Sequence, residues 1–291
     1  RARRAMWRRA GGLVGALLLS APATAGAPQP QEQLVSVQPL VLVVKDFASP
    51  EECDQIRELI RKCHGQEWPE CHELRSKLHS GQKNSVAGQP DRPRRNSTSF
   101  QLSLLGEIDG VIDTIVRRAH VLARHPVTAG EGVQVASYQP GDYYEFHHDS
   151  LFRRATLLLY LNDVPVGDGG ETIFPLLRGP AAAANATPPL PPAVTGREKE
   201  NLGFKVERME PMAPYCQSDF YLKVRPEVGK ALLFFSYTPD YAIDHHAVHG
   251  ACPMVRGEKF TLQRWMRFEP NTLMETSGDA VRHARPLWGR E

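Results

Sequence analysis

The chain has 291 residues, enough for one large domain with extensions or two modest ones, and 41% of them are hydrophobic, so a sizeable core can form. Lys and Arg total 35 against 33 Asp and Glu, a net charge of +2, which excludes a dedicated nucleic-acid binder. Function has to be sought in specific side chains rather than in a field of charge.

In chain order, Arg8 and Arg9 precede a short apolar run, Gly11 to Leu19, and Ala23-Thr24-Ala25 supplies small residues for cleavage, so residues 1–25 read as a signal peptide. The run is short for a membrane span, and a longer signal anchor is the competing reading. Residues 26–39 read as a linker, residues 40–270 as one domain and 271–291 as a tail. A secretory route, with the endoplasmic reticulum lumen as destination, makes the five cysteines disulfide candidates. Cys53, Cys63 and Cys71 crowd one region while Cys216 and Cys252 stand apart; one or two pairs are expected, with a buried free thiol as the other reading of Cys252. Asn96-Ser97-Thr98 and Asn185-Ala186-Thr187 are glycosylation acceptors. The sequence closes on Leu287-Trp288-Gly289-Arg290-Glu291 without a Lys-Asp-Glu-Leu type retrieval signal, so retention in the lumen would need another explanation, such as association with a partner.

Leu40 to Val44 is rich in branched apolar residues and predicts a strand. A helix follows, with Ser49 as cap, Pro50 in the first turn, Glu52 completing a capping box, and Ile56, Leu59, Ile60 and Cys63 at core spacing. Residues 64–95 are polar and predict a loop; Phe100 to Leu104 predicts a strand, and Ile108 to Leu122 a second amphipathic helix. From Gly132 the pattern changes to short strands parted by turn residues: 133–138, 143–149, 155–162, 171–174, 231–235 and 260–268. These predict a sandwich or barrel with its pocket between sheets. Residues 176–226 contain Ala181 to Ala184 and Pro188-Pro189-Leu190-Pro191-Pro192, a composition poor in core material, and read as a long exposed insertion.

The chemistry gathers at Tyr143-Tyr144-Glu145-Phe146-His147-His148-Asp149. In an extended strand His147 and Asp149 share a face and His148 takes the other. One more histidine would complete two imidazoles and a carboxylate, a facial triad that holds iron(II) and leaves positions open. His249 in Ala247-Val248-His249-Gly250-Ala251-Cys252-Pro253 is that candidate, and Lys259 beyond it could hold an acidic co-substrate. Taken alone, His-x-Asp is better explained by a surface or hydrogen-bonded pair than by a metal site, and Lys259 by a solvated lysine in a Gly-Glu-Lys turn.

Ordered blocks carry a resemblance. Tyr144 to Asp149, Arg153-Arg154-Ala155-Thr156-Leu157-Leu158-Leu159-Tyr160-Leu161-Asn162-Asp163-Val164, Gly169-Gly170-Glu171-Thr172-Ile173-Phe174-Pro175, Gly229 to Phe235, His249 to Pro253, then Gly257-Glu258-Lys259 and Trp265, resemble the prolyl 4-hydroxylase family of 2-oxoglutarate- and iron(II)-dependent dioxygenases. The resemblance implies a mainly β, α+β fold: a double-stranded β-helix, or jelly roll, with supporting N-terminal helices. It implies Fe(2+) on His147, Asp149 and His249, and 2-oxoglutarate held by Lys259 with Tyr138 and Thr172. It further implies O2 as co-substrate, L-ascorbate as reductant, and a proline-containing peptide beside Tyr144, Arg153 and Trp265. Simple alternation turns Tyr144 away from His147, so that role requires a bend or bulge. Arg154 competes with Arg153, while His245 and His246 read as loop histidines. The competing functions are the same oxidation of another residue or a small molecule, a catalytically inactive jelly-roll binding module, and a zinc hydrolase, the last without a His-Glu-x-x-His motif.

Overall fold

The computed structural model describes residues 30–65, 95–101, 110–149, 152–183, 185–199 and 203–268. The predicted signal peptide, most of the 64–95 loop and the predicted tail lie outside them.

Thirteen strands are described. They run β1 Gln31–Val37, β2 Leu40–Lys45, β3 Thr98–Gln101, β4 Gln134–Tyr138, β5 Tyr144–His147, β6 Arg153–Tyr160, β7 Thr172–Arg178, β8 Val194–Lys199, β9 Gly203–Met209, β10 Tyr221–Val224, β11 Ala231–Phe235, β12 His249–Ala251 and β13 Lys259–Arg267. Seven form one sheet in the order β1-β2-β11-β6-β13-β4-β3, four form a second in the order β10-β7-β12-β5, and β8 pairs with β9. From β4 to β7 and again from β10 to β13, successive strands alternate between the two sheets. That winding is the double-stranded β-helix.

Side-chain alternation explains why β6 reads as an unbroken apolar run. Leu157 and Leu159 pack with Ile56 and Ile60 of the helix Pro50–Gly65 and with Ile112, Ile115 and Val116 of the helix Gly110–Leu122. Leu158 and Tyr160 face the other way, onto Phe174, Leu222 and Phe234 between the sheets. A strand buried on both faces has no polar side to show. The helices therefore stiffen the back of the large sheet and leave its front for the site.

The capping box forms as expected: the Ser49 N–H donates to Glu52 Oε2 at 2.8 Å, and the Glu52 N–H to Ser49 Oγ at 3.2 Å. The same Glu52 carboxylate accepts two bonds from Arg118, both 3.0 Å, which ties the two helices together.

Two boundaries change. The 26–39 linker contains strand β1, which pairs antiparallel with β2 around a cis Gln38-Pro39 bond. Its mixture of Gln, Glu and Ser with Leu34, Val35 and Val37 gives only a weak strand pattern because it is an edge strand, largely exposed. The 176–226 insertion is also more structured than its composition suggests. It holds the β8–β9 hairpin, the short helix Met212–Gln217 and β10, a strand of the smaller sheet. Scattered residues, Val194, Met209, Met212, Tyr215 and Tyr221, converge on Phe146 and Ile173 as one apolar cluster.

That cluster is stapled by a disulfide between Cys216 and Cys252, with a Cα–Cα distance of 5.9 Å across 36 residues of sequence. Cys252 is thus paired rather than a free thiol, whereas Cys53 is a buried free thiol whose pKa burial pushes up to about 11. The Cys71 side chain and that of Cys63 lie outside the described residues. Replacing Cys216 and Cys252 together by alanine is expected to lower stability by about 2–4 kcal/mol, read as a fall in the urea midpoint, from the loop freed in the unfolded chain. An unchanged midpoint would show that the staple adds nothing to the cluster.

Candidate active site

The end of β5 and the start of β12 lie side by side, with His147 opposite His249 in the antiparallel register. Both imidazoles turn inward, as does Asp149 just beyond the strand. One ligand atom from each of these three buried residues lies within 4.8 Å of the others. His147 Nδ1 hydrogen-bonds the Glu145 carbonyl at 2.7 Å and His249 Nδ1 the Ala247 carbonyl at 3.0 Å. A carbonyl only accepts, so each Nδ1 carries the proton and each Nε2 presents its lone pair. Each Nε2 sits 3.7 Å from a different oxygen of Asp149. Tautomer, aim and donor chemistry fit iron(II) in a facial site.

Asp149 is held from behind. Its Oδ2 accepts from the Thr156 hydroxyl at 2.7 Å and from the Trp265 indole N–H at 3.1 Å, and Arg153 Nη1 lies 3.8 Å from its Oδ1. Burial works against ionisation; the Arg153 guanidinium and the Thr156 bond work for it, and the carboxyl lies below the usual range. Arg153 is itself clamped on Glu131 by bonds of 2.7 and 2.8 Å and lies 4.0 Å over the Trp265 ring. Trp265 and Arg153, expected beside the peptide, are placed on Asp149. Trp265→Phe removes the indole donor, together with part of the ring that Arg153 covers, and should weaken iron binding about 10–100-fold, measured by competition with a chelator. Unchanged affinity would mean the bond does not orient the carboxylate.

The predicted bulge is present. Between His249 and Ala251 of β12, two residues apart, the partners on β5 are His147 and Tyr144, three apart. The extra residue reverses the alternation, and the Tyr144 ring stacks on His147 with centroids 3.7 Å apart.

Lys259 lies across the cleft. It pairs in register with Tyr138 and is only 1% exposed. Its ammonium donates to the Gly170 carbonyl at 2.7 Å and sits 4.6 Å from the Tyr138 ring centroid. Among the described residues no carboxylate forms an ion pair with it. Burial lowers its pKa to about 7, with Glu171 opposing and Arg95 assisting. Gly170, with φ +74°, permits this approach, since a Cβ there would collide with Met254 and press on the lysine stem. Thr172 is beside it, its Oγ1 accepting from the Tyr160 hydroxyl at 2.7 Å.

His148 points away, as alternation requires: its Nε2 bonds the Asp244 carbonyl at 2.9 Å, and burial pushes its pKa down to about 4. His245 reaches Glu198 at 2.9 Å and His246 lies by Asp244, so neither joins the triad. Arg154 is turned to the Phe235 ring, 5.2 Å away. Sequence reasoning missed Thr156, Thr261 and Gln263. Thr261 Oγ1 and Gln263 Oε1 are buried in the cleft wall and have no hydrogen-bond partner among the described residues. The signal was available: 259, 261, 263 and 265 alternate along one face of β13.

The cleft bounded by these residues encloses about 350 Å³, its open mouth included. A jelly roll with two imidazoles and a carboxylate at one end of a cleft and a buried lysine at the other defines a 2-oxoglutarate- and iron(II)-dependent dioxygenase. The profile of the 2OG-Fe(II) oxygenase superfamily matches residues 133–267, which span β4 to β13. The probable prolyl 4-hydroxylase 3 of Arabidopsis thaliana is 31% identical over 244 residues, covering 80% of this chain and 71% of the relative. Prolyl 4-hydroxylase 5 of the same plant is 30% identical over 243 residues, covering 80% and 70%. The chain belongs to the prolyl 4-hydroxylase family of 2-oxoglutarate- and iron(II)-dependent dioxygenases. Among solved structures, a viral collagen prolyl hydroxylase from Paramecium Bursaria Chlorella virus-1, in its 2OG complex, overlays with a TM-score of 0.46 at 21% identity, covering 78% of this chain and 95% of that one.

Proposed function

We propose that the chain hydroxylates peptidyl proline at C4 in proline-rich or collagen-like proteins of the secretory pathway, with succinate and carbon dioxide as co-products. The observation that carries this reading is the β5 bulge. It lays the Tyr144 ring along the metal corner and gives the open side of the cleft an aromatic wall, a surface suited to a proline ring. The names of the plant relatives support the same substrate.

His147, Asp149 and His249 would hold iron(II), which supplies the oxidative decarboxylation of 2-oxoglutarate coupled to oxygen insertion into a C–H bond. Lys259 receives the distal carboxylate of 2-oxoglutarate, exchanging its bond to the Gly170 carbonyl for a charge-assisted one. The Tyr138 ring beneath the ammonium and the neighbouring Thr172 fix the direction of that carboxylate. Thr156 and Trp265 keep Asp149 oriented, and the Arg153–Glu131 clamp holds Trp265 in place. Tyr144 lines the peptide side. The residues thus position two substrates against one corner and supply no proton to the chemistry. L-ascorbate serves as the external reductant.

The test is a peptide panel containing proline-rich, collagen-like and proline-free sequences, incubated with iron(II), 2-oxoglutarate and ascorbate. A one-oxygen mass gain on proline, assigned to C4 by amino-acid analysis, is expected. Oxygen on another residue type, with proline untouched, would keep the dioxygenase and overturn this substrate.

A further inference from the structure

The one proline-dense tract of the chain, Pro188-Pro189-Leu190-Pro191-Pro192, plays no part in the site just described. Its four prolines are exposed and lie outside helix and strand. The tract is nonetheless fixed. Leu190 packs against the apolar cluster under the hairpin, the Pro191 carbonyl accepts from the Tyr215 hydroxyl at 2.6 Å, and Ala193 is fully buried, its carbonyl accepting from the Glu210 N–H at 2.8 Å. The anchors hold the backbone from one side and leave the proline rings in solvent. Consecutive prolines also restrict their own backbone, so little ordering entropy remains to be lost when a groove takes them.

We infer that these prolines are themselves substrates, hydroxylated at C4 by a second copy of the chain. The inference rests on the reading of the cleft as a peptidyl-proline site. The acceptor must be another copy because the anchors at Leu190, Pro191 and Ala193 keep the tract from swinging into its own cleft. The balance is that of the proposed reaction: each C4–H becomes C4–OH, and 2-oxoglutarate loses its carboxylate as carbon dioxide and becomes succinate. One atom of O2 enters the ring and the other enters succinate, the four electrons coming in equal parts from the two substrates. The tract offers four acceptors per chain. Turnover without added peptide should therefore be a burst that ends after at most four succinates per chain, unlike a steady uncoupled leak.

The test mixes an epitope-tagged His249→Ala chain, as acceptor, with untagged active chain, and includes a free proline-rich peptide in the same tube. Mass gains of one oxygen within 188–192 of the tagged chain are expected. The peptide-independent burst should disappear when Pro188, Pro189, Pro191 and Pro192 are all replaced by alanine in both chains. In a second measurement, free of turnover, a synthetic peptide of residues 186–193 should displace a labelled proline-rich peptide from the chain under nitrogen, read by fluorescence anisotropy. An unmodified tract beside a modified free peptide, or no displacement, would overturn the inference while leaving the proposed function standing. If the free peptide too stays unmodified, the proposed function falls and takes this inference with it.

Discussion

Replacing His249 by alanine is expected to lower peptide-dependent succinate release by roughly 1000-fold or more, a loss of about 4 kcal/mol of transition-state stabilisation. The iron corner has three protein ligands, and the remaining two, His147 and Asp149, come from the same strand end. A pair on one side of a metal neither fixes the ion nor defines which positions stay open. His249 also packs against Phe234 and Phe174, with ring centroids 4.5 and 5.8 Å away, so truncation leaves a cavity as well. Asp149→Asn separates the two effects. It keeps an oxygen for the Thr156 and Trp265 bonds, removes the charge the metal needs, and should impair turnover comparably without the packing defect. Iron content by mass spectrometry should fall well below one per chain in both variants. Stoichiometric iron with normal turnover in either would remove these residues from the metal site.

Lys259→Met is expected to move stability and co-substrate affinity in opposite directions. Methionine has a similar reach and no charge, so the buried ammonium and its desolvation cost disappear, and the unliganded chain should melt at the same or a higher temperature. The affinity for 2-oxoglutarate should fall by roughly 30- to 1000-fold, the about 2–4 kcal/mol lost when one partner of a buried ion pair is removed. The wild-type pH dependence follows from the same group. Its pKa drops from 10.5 to about 7 on folding, so between these values the unfolded chain binds more protons, and this group's contribution to unliganded stability rises with pH across that window. Binding reverses the shift, because the incoming carboxylate favours the charged lysine. Above pH 7 the co-substrate therefore binds with uptake of a proton, and its affinity should weaken up to about tenfold per pH unit; below pH 7 this group adds no dependence. Calorimetry at pH 8 in buffers of different ionisation enthalpy measures the uptake. Zero uptake at pH 8 would place the carboxylate away from Lys259.

The strands that build the cleft were legible because their burial is extreme. Ala155 to Tyr160 and Ala231 to Phe234 are buried on both faces, and no surface constraint dilutes the apolar signal. The His147, Asp149 and His249 set was legible for a different reason: alternation gives the first two, and the ordered blocks select His249 from His245 and His246. What the residues alone leave open comes from pairing between strands distant in sequence. Nothing within Tyr144 to His147 shows whether the extra residue against β12 is accommodated there, yet that bulge decides where Tyr144 points. Trp265 and Arg153 end on Asp149 because β13 lies beside β6, a neighbourhood that is a property of the sheet order. The 176–226 region misled because its average is set by Ala and Pro, whereas its packing is set by a few large side chains and by Cys216 meeting Cys252.

Whether one cleft holds iron(II) and 2-oxoglutarate together through these residues is decided by an anaerobic titration of 2-oxoglutarate into the iron-loaded chain, followed by its visible charge-transfer absorption. The expected band saturates at one equivalent, requires far more co-substrate in Lys259→Met, and is absent in His249→Ala. A band of equal strength and affinity in all three proteins would contradict that arrangement.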